Sequence, residues 1–199
     1  AQSIMFTSFN PVSGKTFVST NLAIALALTG KRVILLEMDI RKGSEKDSDG
    51  KILPGLTNYL SGNITDIGKI IRKSQWQTGL DVISSGPIPP NPSELLLNSR
   101  LDELMSFLRG EYEYILLDTV PYGIVADARI ISRVADLCIY VIREGRMDRR
   151  LLPEVEKLYT ESKLPHMAVV LNGVCYHRSY YGYNYGYNYG YSYGSKGYE

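Results

Sequence analysis

Short apolar runs alternate with helical patterns along most of this chain. The runs predict strands at 4–7, 33–36, 80–83, 114–117, 137–142 and 167–171. Apolar residues recur at helical spacing over 17–28, 92–108, 126–134 and 151–162. Strands that are apolar on both faces and alternate with helices indicate a parallel sheet covered on both sides. We therefore predict an α/β fold in three layers, with a mostly parallel central sheet and helices on both faces.

The composition changes abruptly after Asn172. Ten of the 16 tyrosines fall between Tyr176 and Tyr198, and from Tyr181 to Tyr193 every second residue is tyrosine, with only Gly, Asn and Ser between. Such a low-complexity segment cannot build a packed core. We predict one folded domain over residues 1–174 and a flexible, tyrosine-rich tail over 175–199.

Composition and charge exclude some classes of function. The 199 residues suit one domain, and 44% hydrophobic with 22% charged residues is ordinary for a soluble globular protein. A formal net charge of +1 gives no sign of a nucleic-acid partner. No apolar run is long enough to cross a bilayer. Because the first predicted strand begins at Ile4, we expect the chain to be part of a longer protein.

A candidate phosphate-binding loop joins the first predicted strand to the first helix. It ends in Ser13-Gly14-Lys15-Thr16. Backbone N–H groups at such a corner converge on anionic oxygens. Lys15 would add positive charge beside the β- and γ-phosphates, and the Thr16 hydroxyl would coordinate Mg²⁺. Because Phe9 and Val12 stand where related loops have glycine, a chance Gly-Lys-Thr in an ordinary turn is the alternative.

Carboxylates follow two of the predicted buried strands. Asp118 ends the fourth strand, and Glu37 and Asp39 follow the second. The carboxyl ends of parallel strands form the ligand-binding edge of a sheet, and alternate residues of an extended segment project to the same side. Clustered acids repel one another unless a cation joins them, which favours a magnesium site. The alternatives are a cap at Asp118 and a solvated acidic loop with Arg41 as its counter-ion.

Together these segments resemble the bacterial tyrosine kinases that act with polysaccharide co-polymerases. The matching segments are Ser13-Gly14-Lys15-Thr16, Glu37-Met38-Asp39-Ile40-Arg41, Asp118-Thr119-Val120-Pro121, residues 86–96, residues 171–174 and the tyrosine-rich tail. The resemblance covers essentially the whole chain. It implies a P-loop autokinase that uses ATP and Mg²⁺, releases ADP, and forms the cytoplasmic domain of a bacterial inner-membrane protein in capsule or exopolysaccharide synthesis and export.

The resemblance also implies roles for individual residues. The nucleotide would be bound by Ser13, Gly14, Lys15, Thr16, Phe17 and Asn172, the last beside the adenine base. The metal would be held, partly through water, by Thr16, Asp39 and Asp118. Catalysis would rest on Lys15, Glu37, Asp39 and Asp118, with residue 37 receiving or orienting the tyrosine hydroxyl. The family usually has aspartate at position 37, and glutamate is one methylene longer.

The tail would supply the phosphoacceptors, and a neighbouring subunit would phosphorylate them. The candidate acceptors are Tyr180, Tyr181, Tyr183, Tyr185, Tyr187, Tyr189, Tyr191, Tyr193 and Tyr198. The resemblance implies a ring-like homo-oligomer in the full-length protein, a membrane-spanning part outside this sequence, and a cognate tyrosine phosphatase as partner. For the tail itself, the alternative is an aromatic segment that only self-associates.

Two other functions stay open at the level of sequence. Switch ATPases of the ParA and MinD type share the fold but carry a second lysine five residues before the loop lysine, where this chain has Asn10. The other open function is that of a non-catalytic nucleotide-binding module that serves assembly. Glu37 and the glycine-poor loop are the features that support it.

Overall fold

Strands and helices alternate along the described part of this computed structural model, which comprises residues 1–44, 50 and 52–174. The strands are β1 (Ser3–Thr7), β2 (Val33–Glu37), β3 (Arg72–Lys73), β4 (Leu80–Ile83), β5 (Tyr114–Asp118), β6 (Leu137–Arg143) and β7 (Ala168–Asn172). The helices are α1 (Lys15–Leu28), α2 (Leu56–Leu60), α3 (Pro92–Leu97), α4 (Ser99–Glu111), α5 (Asp127–Ile131) and α6 (Leu152–Thr160). Single 3-10 turns occupy Ile67–Lys69, Ser132–Val134 and Arg149–Leu151.

The strands form one sheet in the order β3-β4-β2-β5-β1-β6-β7. All neighbouring pairs are parallel except β3 with β4, which is antiparallel. β1 lies in the interior between β5 and β6, and the chain leaving β1 runs directly into the loop before α1. The carboxyl ends of β1, β2 and β5 therefore meet at one edge of the sheet, which is where ligands bind in folds of this kind.

Two apolar cores lie on opposite faces of the sheet. The larger core packs α2 to α6 against one face, and the smaller core packs α1 against the other. Ala23 and Ala27 are the buried apolar residues of α1, and their small side chains let the helix approach the strands closely. The predicted three-layer α/β architecture is confirmed.

The predicted helix over 92–108 is wrong as a single element. It consists of α3 and α4, which are separated at Asn98, where ψ is 143° and the backbone is extended. The Asn98 side chain accepts a hydrogen bond from the backbone N–H of Arg100 at 3.0 Å. It thereby caps α4, and asparagine favours such caps over helix interiors.

The predicted tail over 175–199, its flexibility and its nine candidate acceptor tyrosines lie outside the described residues. Within the described residues, no helix is both long and apolar enough to cross a membrane.

Candidate functional site

The loop between β1 and α1 is shaped by hydroxyl groups as well as by glycine. The Ser8 and Ser13 hydroxyls both donate to the carbonyl of Asn10, at 2.6 and 2.8 Å. Gly14, with φ at +91°, turns the chain into α1, and a Cβ there would lie 2.1 Å from the Asn172 side-chain nitrogen. These contacts hold the loop in shape although it has few glycines.

Lys15, the first residue of α1, points its ammonium group into the site. The side chain is buried, and its Nζ donates to the Ser8 hydroxyl at 3.2 Å. Burial lowers the Lys15 pKa, and the negative charges of Asp118 and Asp39 partly oppose that effect. Among the described residues, Lys15 forms no ion pair within 4.0 Å. Its charge is therefore available to an anionic ligand.

Asp118, at the end of β5, is paired with Thr16. The Thr16 hydroxyl donates to Oδ2 of Asp118 at 2.6 Å, whereas the buried Oδ1 has no hydrogen-bond partner among the described residues. The pKa of Asp118 is raised to about 6, mainly because the group is buried. The charges of Glu37 and Asp39 also raise this pKa, whereas the Thr16 hydrogen bond and the Lys15 charge lower it. An unsatisfied buried carboxylate oxygen beside a hydroxyl is an arrangement that a cation would complete.

Glu37 and Asp39 lie on the other side of the same site. Glu37 ends β2 directly beside Asp118 of β5, and the backbone N–H of Met38 donates to the Asp118 carbonyl at 2.8 Å. One cavity of about 370 Å³ connects the two sides. Its lining residues are Lys15, Thr16, Glu37, Asp39, Lys42, Gly43, Ser44, Ser85, Asp118 and Thr119. The structure thus brings Lys15, Thr16, Glu37, Asp39 and Asp118 to one cavity.

The residues present fit a magnesium ion bound together with phosphate. The described part of the chain has no cluster of three or more Asp, Glu, His or Cys side chains that could hold a metal by themselves. Mg²⁺ usually needs only one or two protein carboxylates, because phosphate and water oxygens complete its shell. The Thr16 hydroxyl with the carboxylates of Asp39 and Asp118 provides such a partial set.

Arg41 forms its close ion pair with Asp127, and the negative charge of Asp39 also acts on it. Its Nε donates to Oδ2 of Asp127 at 2.6 Å and its Nη2 to Oδ1 at 3.0 Å. Asp127 is thus the hydrogen-bonded partner of Arg41. The charges of Asp39 and Asp118 act on Lys15 across the cavity.

Asn172 and Phe17 lie at a neighbouring cavity of about 320 Å³. Its lining residues are Gly14, Phe17, Arg143, Asn172 and Gly173. The Asn172 side chain donates to the Ser13 carbonyl at 3.0 Å, and Arg143 donates to the Val12 carbonyl at 3.2 Å. The ends of β6 and β7 thus brace the phosphate loop, and the exposed Phe17 ring offers an aromatic surface beside it.

Several residues at the site escaped the sequence reasoning. Lys42, Ser44 and Ser85 line the first cavity, with the two serine hydroxyl oxygens 3.4 Å apart. They lie in connections after β2 and β4, where no periodic pattern marks a residue as functional. The only available signal was that the resembling segment 86–96 begins directly after Ser85.

Known proteins resemble this chain in sequence and in fold. The family described as the CobQ/CobB/MinD/ParA nucleotide binding domain matches residues 4–175. A putative tyrosine-protein kinase in the cps region of Klebsiella pneumoniae is 39% identical over 172 residues, which are 86% of this chain but only 24% of that protein. The chain therefore spans about a quarter of that relative.

Two further relatives are matched over most of their own length. The tyrosine-protein kinase CpsD of Streptococcus agalactiae is 35% identical over 183 residues, covering 90% of this chain and 77% of CpsD. The kinase domain of the Escherichia coli tyrosine kinase ETK superposes with a TM-score of 0.78 at 33% identity, covering 94% of this chain and 73% of that structure.

Proposed function

Since the chain belongs to the CobQ/CobB/MinD/ParA nucleotide-binding family and is a tyrosine-protein kinase of the bacterial type, we propose that it transfers the γ-phosphoryl group of ATP to tyrosines of its own tail. The observation that carries this proposal is the shared cavity. It is lined by a buried lysine that forms no ion pair within the described part of the chain, a threonine–aspartate pair and two further carboxylates. Each of these groups has a task in phosphoryl transfer.

On the donor side, the loop residues bind ATP. The Lys15 ammonium contacts the β- and γ-phosphates, and backbone N–H groups from Ser13 to Thr16 surround their oxygens. Asn172 contacts the adenine base, with Phe17 beside it. The Thr16 hydroxyl and the carboxylates of Asp39 and Asp118 hold Mg²⁺, which neutralises the charge on the phosphates when it is bound.

On the acceptor side, Glu37 receives the proton of the tyrosine hydroxyl. The phenolic oxygen forms a bond to the γ-phosphorus, the bond from that phosphorus to the β–γ bridging oxygen breaks, and ADP leaves. Glu37 ends its strand beside Asp118, so the base and the metal site are adjacent. The glutamate reaches one methylene further than the aspartate usual in the family, which places the acceptor oxygen correspondingly further from β2.

The acceptors are the nine tail tyrosines already named, and the transfer occurs between molecules. The Klebsiella pneumoniae relative is described as a kinase in a cps region, and the Streptococcus agalactiae relative is named CpsD. We extend this connection to a role in capsule or exopolysaccharide synthesis and export. In that setting the chain would be the cytoplasmic part of a ring-like membrane assembly, and a tyrosine phosphatase would reverse the modification.

The direct test is incubation of the full chain with ATP and Mg²⁺, followed by mass spectrometry of the modified residues. Phosphotyrosine in the tail is expected for the wild type and for Lys69→Met, an exposed lysine that lines neither cavity. It should be absent from Lys15→Met. Phosphate release without phosphotyrosine would instead indicate a switch ATPase. Nucleotide binding with neither product would indicate a non-catalytic assembly module.

Transfer between molecules has its own test. Lys15→Met, which keeps an intact tail, is mixed with a variant whose nine tail tyrosines are replaced by phenylalanine. Phosphotyrosine on the Lys15→Met chain is expected, because only the other chain can supply the active donor site. Its absence, under conditions in which the wild-type chain alone becomes phosphorylated, would show that the transfer occurs within one molecule.

A further inference from the structure

An ion pair between the exposed Arg41 and a buried aspartate lies next to the acidic segment of the site. The Asp127 side chain, at the first residue of α5, is only 1% exposed. Both of its oxygens accept hydrogen bonds from Arg41, in the bidentate geometry that makes arginine–carboxylate pairs strong and directional. The Ser93 hydroxyl accepts from Arg41 Nη2 at 3.2 Å and donates to Asp127 Oδ1 at 2.7 Å. Three separate parts of the chain therefore meet at one guanidinium group.

Arg41 follows Asp39 by two residues, on a segment that is held from several directions. Its backbone is tied to β5 by the Met38 N–H and closed by a turn in which the Lys42 N–H donates to the Asp39 carbonyl at 3.2 Å. Met38 and Ile40, on either side of Asp39, are fully buried. The side chain of Arg41, two residues after Asp39, is anchored as well, and it ties the segment to α5 and to Ser93.

We propose that Arg41, Asp127 and Ser93 form a positioning network that holds the Asp39 carboxylate at the metal site. The network contacts neither metal nor nucleotide and acts through the backbone that it fixes. The inference rests on the proposed function only in taking Asp39 as a ligand of the metal.

The test is metal binding by the full chain, measured with Mn²⁺ as probe by electron paramagnetic resonance in the presence of ADP. Lysine cannot reproduce the bidentate contact of arginine, so Arg41→Lys should bind Mn²⁺ about tenfold more weakly, which is typical of lost outer-shell contacts. ADP affinity without metal should stay within about twofold of the wild type, because such contacts act on the metal and not on the base or the phosphate loop.

The chain contains a matched control at the opposite edge of the sheet. Arg109 also binds an aspartate in a bidentate way, with Nη2 to Oδ1 of Asp136 at 2.7 Å and Nη1 to Oδ2 at 3.1 Å. It also donates to Ser3 at the start of β1, far along the strand from the site. Arg109→Lys makes the same chemical change and should leave Mn²⁺ affinity at the wild-type value.

Two results would overturn the inference. One is Mn²⁺ affinity of Arg41→Lys within about twofold of the wild type, since a lost positioning contact costs about tenfold or more. The other is an equal loss in Arg109→Lys, which would mean that the ion pair serves only general stability. If Arg41→Lys does not fold, Ser93→Ala is the second variant, because it removes only one hydroxyl of the network. Ser93→Ala is expected to weaken Mn²⁺ binding as well. An unchanged Mn²⁺ affinity of Ser93→Ala would count against the network. Because the Mn²⁺ measurement does not require phosphoryl transfer, this inference can be tested even if the chain has no kinase activity.

Discussion

The carboxyl group of Asp118 is buried beside Thr16, with two further acids lining the same cavity. Its pKa is raised to about 6 because burial disfavours the charged form, so at neutral pH the ionised group destabilises the metal-free fold. Asp118→Asn removes that charge while keeping an oxygen for the Thr16 hydroxyl. We expect the variant to be more stable without metal by about 1–3 kcal/mol, although it loses the metal site.

Thermal unfolding with a chelator at pH 7.5 measures this effect, at about 2–4 °C for each kcal/mol in a protein of this size. Asp136→Asn is a control with the opposite expected effect. The hydrogen bond from Arg109 is the main reason why the pKa of Asp136 lies below its ordinary value, so the ionised form of Asp136 stabilises the fold. That substitution should lower the unfolding midpoint. A destabilised Asp118→Asn would show that the acid is not under strain in the free protein.

The raised pKa of Asp118 also predicts how the stability of the protein depends on pH. The folded protein binds the Asp118 proton more tightly than the unfolded chain, since the pKa rises from 3.8 to about 6. The stabilising contribution of the protonated form is therefore complete below pH 3.8 and is lost as the pH rises through about 6. In chelator, the unfolding midpoint of the wild type relative to Asp118→Asn should rise as the pH falls from 7 to 5. A difference that is independent of pH would contradict the shift.

Metal binding should show the opposite trend, because a proton and a cation compete for the same oxygens. Mn²⁺ affinity in the presence of ADP is expected to fall as the pH drops below about 6. The burial of Asp118 thus lowers the stability of the metal-free protein while it contributes to the affinity for the metal, a trade-off that is common at functional sites.

At the scale of elements, the break between α3 and α4 depends on one side chain. Asn98 is exposed, and its side-chain oxygen caps the first turn of α4, whose residues Leu101 and Leu104 are fully buried. Asn98→Ala should destabilise the protein by about 1 kcal/mol, the usual loss for a helix cap. Asn98→Asp should retain most of the stability. Urea unfolding distinguishes the two, and equal midpoints for alanine and aspartate would show that the cap is unimportant.

Longer elements were predictable because their patterns are strong. Each of the six predicted strands agrees with the structure to within one residue at both ends, since a strand buried on both faces is a continuous apolar run. β3, with two residues, and α2, with five, are too short to display a period. The cap at Asn98 was hidden because apolar residues continue at helical spacing on both sides of it.

Site residues were predictable where chain order places them at strand ends. Asp118 and Glu37 end β5 and β2, so the parallel sheet itself brings them together. The pairing of Arg41 with Asp127 could not be predicted, because Asp127 is 86 residues away and is brought near only by the packing of α5. Sequence patterns identify which side chains lie at the active edge, but pairings between loops depend on tertiary packing.

At the scale of the whole molecule, the two edges of the sheet have different tasks. The carboxyl edge holds the acids and the buried lysine in one cavity, whereas the amino edge holds Arg109 and Asp136 in a satisfied network with Ser3. Substitutions at the amino edge should therefore change stability without changing ligand affinity. This separation is what makes the two arginine–aspartate pairs informative controls for each other.

Charge is the other property of the whole molecule that the proposed reaction changes. The formal net charge is +1, and each phosphate adds about −1.5 to −2 charges. With all nine candidate tyrosines modified, the chain would carry a net charge of roughly −12 to −17. Such like charges repel, so phosphorylated subunits should associate less than unmodified ones at low ionic strength.

Sedimentation velocity of the full chain before and after incubation with ATP and Mg²⁺ measures this change. The phosphorylated protein should sediment as the smaller species in about 0.01 M salt, where the Debye length is about 30 Å, and should recover association near 1 M, where it is about 3 Å. The variant with phenylalanine at the nine tail positions, treated identically, should keep its sedimentation coefficient. If phosphorylated chains separate equally at both salt concentrations, charge repulsion is not the cause, and phosphate must instead disrupt specific contacts made by the tyrosine rings.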